Sequence, residues 1–246
     1  KTGKLDLSVL SSEVKEYAST EQDQILERVQ GMDVVVTKEM PVDGDTIARF
    51  PDSVQLICGA GTGYNNIDIE AARARGITVC NIPAYSTERV VHTAIMMILN
   101  LSSSMQIQQA MLARGDRSNF TKCMQVSHVE VNGKVLGVVG AGTIGREVIK
   151  VAQALGMKVL AYTRTPRADE DNLKYVSLEE LLKQSDYISL HCPLTPQTRH
   201  MINKETIAMM KPTAYIINTG RGALIDEPDD TRRKKSFFRS ISQTKQ

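Results

Sequence analysis

The sequence predicts an α/β protein of two lobes, each built on a parallel sheet with helices against its faces. Three observations predict it. Short apolar runs alternate with amphipathic stretches along the chain, the rhythm of repeated β-α units. Val135–Val139 is continuously apolar, as a strand buried on both faces must be. A long amphipathic stretch from Ser86 ends in Ser102-Ser103-Ser104, after which the composition stays polar to about Gly133. That break divides the chain into residues 1–101, residues 102–226 and a tail over 227–246. No internal repeat is present.

In the first lobe the strand candidates are Val14–Ala18, Asp33–Thr37, Val54–Cys58 and Thr78–Ile82. A helix is expected from Thr20, where Asp23 completes a capping-box-like pair, with Ile25, Leu26 and Val29 inward. Another covers Ile67–Arg75 and stops at Gly76. The bridging helix from Ser86 carries Val90, Ala94, Met97, Ile98 and Leu101 at helical spacing. The second lobe opens at the turn Asn132-Gly133 and runs through the strand Val135–Val139, the helix Ile144–Leu155 and the strand Lys158–Tyr162. A helix capped by Ser177, the strand Tyr187–Cys192, a helix around Lys204–Met210 and the strand Ala214–Asn218 complete it.

Composition narrows the function classes. Hydrophobic residues make up 41% and charged residues 24%, a globular balance. Six basic and no acidic residues lie in 231–246, leaving 24 basic and 28 acidic groups, a formal −4, on the other 230 residues. A mildly acidic body argues against nucleic acid as a partner. No apolar run reaches membrane-span length, and no signal-peptide pattern opens the chain. Cys58, Cys80, Cys123 and Cys192 are scattered without a CxxC pair, so neither a metal site nor a disulfide is expected and a reducing cytoplasm is the expected compartment.

The motif with the most chemical content is Gly140-Ala141-Gly142-Thr143-Ile144-Gly145. It follows a buried strand and opens an amphipathic helix, the context in which GxGxxG binds a dinucleotide. Gly140 permits the tight turn, Gly142 lets backbone approach a pyrophosphate, and Gly145 lets helix pack on strand. Thr143 and Ile144 then begin a helix whose unpaired amides face the phosphates. The second lobe is therefore expected to be Rossmann-like. The next strand should end in a carboxylate for the adenine ribose. Here it ends in Tyr162-Thr163-Arg164-Thr165, where Arg164 and the threonines suit a 2′-phosphate, so the reading for NAD(P)H leans towards NADP(H).

Three further segments make the chain resemble the D-isomer-specific 2-hydroxyacid dehydrogenases, the group that includes glycerate, phosphoglycerate and D-lactate dehydrogenases. Gly59-Ala60-Gly61-Thr62-Gly63-Tyr64-Asn65-Asn66-Ile67-Asp68 is similar to the family's substrate loop, implying a carboxylate held by Ala60, Gly61, Thr62 and Gly63 through an amide-lined concavity. His191-Cys192-Pro193-Leu194-Thr195, with Thr198, is similar to the strand-end loop against the cofactor. Asn218-Thr219-Gly220-Arg221-Gly222-Ala223-Leu224-Ile225-Asp226 looks like the arginine motif, with Thr219 and Gly220 beside the cofactor. The resemblance spans roughly 5–226. It implies a flavodoxin-like first lobe, a homodimer with an arm over Met105–Ser127, and interconversion of a small 2-keto acid and its D-2-hydroxy acid. In that reaction Arg221 would bind the carboxylate and polarise the carbonyl, a histidine would protonate the alkoxide, and a glutamate would keep that histidine's pKa up.

Some features depart from the family pattern. After Asp226 the polar, basic stretch Glu227–Gln246 shows neither helical nor strand periodicity, and Glu227-Pro228 comes too soon after Arg221 to be the catalytic glutamate motif. No strand precedes Leu5–Leu10. Both lobes are therefore expected to be incomplete, with Ala214–Asn218 as an open sheet edge, marginal folding and negligible turnover. His92, His128, His191 and His200 are expected to be structural or at the surface. Other readings of the tail are a disordered terminus and a nuclear-import or RNA-binding patch at Arg232–Lys235. The competing function is a dinucleotide-sensing, corepressor-like binding protein that catalyses nothing.

Overall fold

The computed structural model describes residues 9, 11, 13–165 and 167–227, with the backbone of 239–240. It divides into two compact units, 1–83 and 84–246. The first contains α1 (Ile25–Arg28), β1 (Val34–Thr37), α2 (Gly44–Ala48), β2 (Leu56–Gly59), α3 (Ile69–Ala74) and β3 (Thr78–Asn81). Its three strands form a parallel sheet in the order β1-β2-β3. Ile57 lies on the face covered by helices, in a cluster with Ile25, Ile47, Ile67 and Ala72, while Val36, Cys58 and Cys80 share the opposite face.

Local chemistry explains the boundaries. Asp43 and Asp68 cap α2 and α3 by accepting from the amides of Thr46 and Ala71. Gly76 follows α3 at φ 68°, where glycine costs nothing. The first capping box is made by Glu21 and Gln24, one residue later than the Thr20–Asp23 pair expected. Val14–Ala18 forms no strand: Val14 and Tyr17 are exposed, and the Tyr17 ring lies 4.1 Å under the Arg28 guanidinium instead. Residues 5–8 and 10 lie outside the described residues.

The second unit runs α4 (Thr87–Ser102), α5 (Met105–Ala113), α6 (Ser118–Thr121), β4 (Val135–Val139), α7 (Thr143–Ala154), β5 (Lys158–Tyr162), β6 (Leu173–Tyr175), α8 (Leu178–Gln184), β7 (Tyr187–Leu190), α9 (Lys204–Ala208), β8 (Tyr215–Asn218) and β9 (Arg239–Ser240). The six strands are parallel in the order β6-β5-β4-β7-β8-β9. This is the doubly wound order of a dinucleotide-binding fold, with the chain reversing direction between β4 and β7. Leu136, Val138, Val159, Ala161, Tyr187 and Ile217 pack on one face with α4 and α7; Val139, Leu160, Ile188, Leu190 and Ile216 pack on the other with α8. Burial on both faces is why β4 is apolar throughout.

The helix expected to bridge the lobes packs within the second unit. Its buried positions are Val91, Ala94, Ile95, Ile98 and Ser102, so the inward face is turned about one residue from the predicted stripe. Two strands went unpredicted: β6 is only three residues long, and β9 lies in the basic tail. Arg239 and Ser240 pair with Ile217 and Asn218, while among the described residues 214–216 keep the open edge expected. Among the described residues no single helix is long and apolar enough to cross a membrane.

One carboxylate ties the starts of three strands. Asp186 accepts from the Val135 amide (2.8 Å) and the Lys211 ammonium (2.8 Å) through its side chain. Its backbone donates to Val135 O and accepts from Tyr215 N. Burial works against its ionisation, but Lys211 and the Val135 amide prevail and hold its carboxyl below the usual range. Asp186→Asn is expected to cost about 1–3 kcal/mol in urea denaturation at neutral pH. Because the folded carboxyl titrates low, the gap between wild type and variant should close as pH falls below about 4. A gap that persists at pH 2 would contradict this account.

Candidate functional site

The strands of the second unit end in a common row. In the last paired register Tyr162, Val139, Leu190 and Asn218 stand side by side on β5, β4, β7 and β8. The next residues are Thr163, Gly140, His191 and Thr219, four of the residues singled out from sequence. Arg221 lies two residues beyond Thr219. It belongs to the same sheet as the glycine turn but to the next strand but one, with β7 between, and not to the neighbouring strand.

The glycine turn is shaped by contact with β7. Gly140 has φ 98°, and a side-chain carbon there would stand 2.7 Å from Cys192 N. Its amide donates to Tyr162 O at 2.9 Å, joining the tips of β4 and β5. A carbon on Gly145 would collide with the Gly140 carbonyl. Both glycines are thus required by the fold itself. Gly142 differs: it caps α7 with extended backbone, and a carbon there meets nothing within 4 Å. The space kept clear lies at the helix start, where the amides of Thr143, Ile144 and Gly145 precede the first intrahelical bond of α7, from Arg146 N to Gly142 O. A cradle that a methyl group would fill, at a twelve-residue helix N-terminus on the switch point, fits a dinucleotide pyrophosphate. Thr219 adds to the fit: its buried hydroxyl has no hydrogen-bond partner.

Beyond β5, Arg164 is exposed and makes no ion pair among the described residues. Thr163 donates its hydroxyl to Thr165 O at 2.7 Å, so that group organises the loop. No carboxylate ends β5. Glu170, at the start of the β6 hairpin, is held instead by Arg146 (2.9 Å).

Beyond β7, His191 shares a 2.8 Å hydrogen bond with Ser189 Oγ, and burial pushes its pKa down to about 4. Pro193 accepts at 2.7 Å from the Thr198 hydroxyl, which also accepts from Thr195 N. Thr198 therefore folds its own loop. Beyond β8, Asn218 is the residue that shapes the arginine turn, a role that sequence reasoning missed. Its amide donates to Arg221 O (2.9 Å) and its carbonyl accepts from Gly220 N (3.0 Å). The sign in the sequence was a polar amide ending an apolar strand. His200 and Asp226 stand 3.7 Å apart at the surface, while His92 and His128 are exposed.

In the first unit the loop after β2 behaves unevenly. Ala60 N donates to Thr37 O at the end of β1, and Gly61 N donates to Gly59 O. Thr62 and Gly63 are exposed, and Thr62 is pinned by its carbonyl to the Asn81 side chain (2.8 Å) and by its hydroxyl to Ile82 O.

A doubly wound sheet with a glycine turn at its switch point and an arginine two strands away defines a dinucleotide-dependent enzyme class. Residues 95–230 match the D-isomer specific 2-hydroxyacid dehydrogenase NAD binding domain, and the chain belongs to that family. It is 39% identical over 214 residues to hydroxypyruvate reductase of Blautia hydrogenotrophica, covering 85% of this chain and 66% of that protein. It is 39% identical to glycerate dehydrogenase of Methylorubrum extorquens, covering 87% and 68%. Among solved structures, a glyoxylate reductase from Paecilomyes thermophila superposes with TM-score 0.79 at 33% identity, covering 89% of this chain and 70% of that one. A D-lactate dehydrogenase from Aquifex aeolicus, complexed with NAD and lactic acid, gives 0.74 at 35%, covering 81% and 60%. The chain spans about two thirds of the length of the relatives it matches.

The glycines make a sharp pair of tests. Gly140→Ala should lower stability by about 3 kcal/mol or more, read by thermal or urea unfolding. Gly142→Ala should unfold like wild type yet lose NAD(P)H binding at least about tenfold. Equal effects of the two substitutions on stability would refute the distinction.

Proposed function

We propose that this chain is of the NAD(P)-dependent oxidoreductase type that interconverts a 2-keto acid and a D-2-hydroxy acid, of the glycerate, hydroxypyruvate or glyoxylate kind. The reading rests on one observation: Arg221 follows the row Thr163, Gly140, His191 and Thr219 at one edge of one sheet. The coenzyme, when bound, supplies or accepts the hydride at the substrate's second carbon. Gly140, Gly142 and Gly145 with Thr143 and Ile144 hold its pyrophosphate, and Pro193, Thr198, Thr219 and Gly220 line its nicotinamide side. Arg221 is the catalytic residue: a permanently charged fork binds the carboxylate and draws electron density onto the carbonyl oxygen. In the first unit, Thr62 and Gly63 are exposed on the loop that resembles the family's substrate loop.

Protonating an alkoxide near neutrality requires an acid whose pKa lies near that pH. Among the described residues His191 is the histidine beside the strand tips, and its value near 4 leaves it neutral and a poor donor. We therefore propose that residues 1–246 by themselves bind coenzyme and turn over negligibly. NADP(H) is the preferred form, because Arg164 stands where a carboxylate would select the ribose hydroxyl. Fluorescence titration of the 246-residue chain should show NADPH binding tighter than NADH. Arg164→Ala should weaken NADPH about tenfold while leaving NADH unchanged. Reduction of glyoxylate and hydroxypyruvate should stay at background. A strong NADH preference would overturn the cofactor choice, measurable reduction the inactivity, and no binding of either coenzyme the whole reading.

The same reading extends to a homodimer. Met105, Ile107, Leu112 and Phe120 expose apolar side chains along α5 and α6, more than single scattered residues would. Sedimentation should give a dimer, and Ile107→Asp with Phe120→Asp should yield monomers that still bind coenzyme. A wild-type monomer would refute it.

A further inference from the structure

We propose that Cys58 and Cys80 form an oxidisable dithiol whose disulfide ties together the two strand ends that carry the Gly59–Gly63 loop. The two residues are direct partners in the parallel register of β2 and β3. Their sulfurs lie 3.3 Å apart on the face opposite the helices. Adjacent strands stand about 4.8 Å apart, inside the Cα separations that disulfides span. Cys80 is exposed and Cys58 half-buried, so an oxidant of peroxide size reaches the pair from solvent.

The order of events follows from the two environments. Cys80 is the exposed sulfur and meets the oxidant first, while burial, and then the neighbouring Cys80 thiol, push Cys58 up to about 11. The Cys80 sulfur attacks hydrogen peroxide: an S–O bond forms, the O–O bond breaks, and the departing hydroxide leaves as water after taking up the thiol's proton. The sulfenic acid then meets Cys58, whose sulfur forms the S–S bond while the S–O bond breaks, the hydroxyl leaving as water with the Cys58 proton. Two thiols and one peroxide give one disulfide and two waters. Cys192 is a poor competitor: burial pushes its thiol up to about 11, and it lies against Met201 in the second unit.

The crosslink has a mechanical target. Gly59 directly follows Cys58, and Asn81 and Ile82 directly follow Cys80. Asn81 donates to Thr62 O, Ile82 N donates to Gly61 O at 3.0 Å, and Thr62 Oγ1 donates to Ile82 O. Every one of these bonds joins the loop after β2 to the strand end after Cys80. Fixing the two sulfurs therefore fixes the base of the loop whose amides at Thr62 and Gly63 are exposed. The crosslink stands whether or not that loop binds a carboxylate.

The test exposes the native 246-residue chain to hydrogen peroxide, alkylates the remaining thiols and maps peptides without reduction. Expected is a linked peptide joining Cys58 to Cys80, two of the four thiols lost, reversal by dithiothreitol, and slower amide exchange over 60–63 and 82 by at least about threefold. Cys58→Ser should instead leave Cys80 as a sulfenic acid that a dimedone probe captures. Over-oxidation of Cys80 in the wild type with Cys58 still alkylatable would overturn the dithiol, as would a bridge from either residue to Cys123 or Cys192. A disulfide that forms without slowing exchange would overturn its coupling to the loop.

Discussion

The close approach of Gly140 to the backbone of Cys192 is the constraint on which the second unit depends. Strand tips on either side of the switch point can meet only where one of them carries no side chain, and the positive φ of Gly140 turns the chain away as they do. Gly137, one turn of pleat earlier, meets the same demand from α8: a carbon there would press on Leu181 and Ser185. With β4 bare at these points, helix and neighbouring strand close down on it from both sides. The crevice outside the strand ends is what remains.

This arrangement divides the labour among similar residues. Two glycines of the fingerprint answer to packing, while the third answers to nothing inside the protein, and a residue kept small without an internal reason points to something outside. Asn218 and Thr198 make the complementary point. Their polar groups are consumed in shaping the loops that carry Arg221 and Pro193.

Much of this was legible in the sequence. Strands buried on both faces announce themselves as apolar runs, and β4 and β5 fall on the predicted residues to the last position. The glycine spacing located the turn, and the family resemblance located Arg221. What escaped has physical reasons. Val14–Ala18 has strand-like composition, but its aromatic ring is used on Arg28. β6 is too short to show a period. The inward face of α4 was misjudged by one residue because Val90, Val91, Ile95, Met97 and Ile98 leave apolar side chains nearly all round it. The pairing of Cys58 with Cys80 was hidden for a different cause: 22 residues of sequence separate two atoms that register brings together.

Asp186 pegs β4, β7 and β8 at the pole of the sheet away from the glycine turn. From that common base each strand rises by a near-equal number of residues, so the levels of Gly140, His191 and Thr219 are set before any loop is added. Loops at the far pole can then lengthen, shorten or exchange residues without tilting the platform beneath them. A family that varies its substrate while keeping its coenzyme needs a sheet whose anchorage and whose working rim are separate.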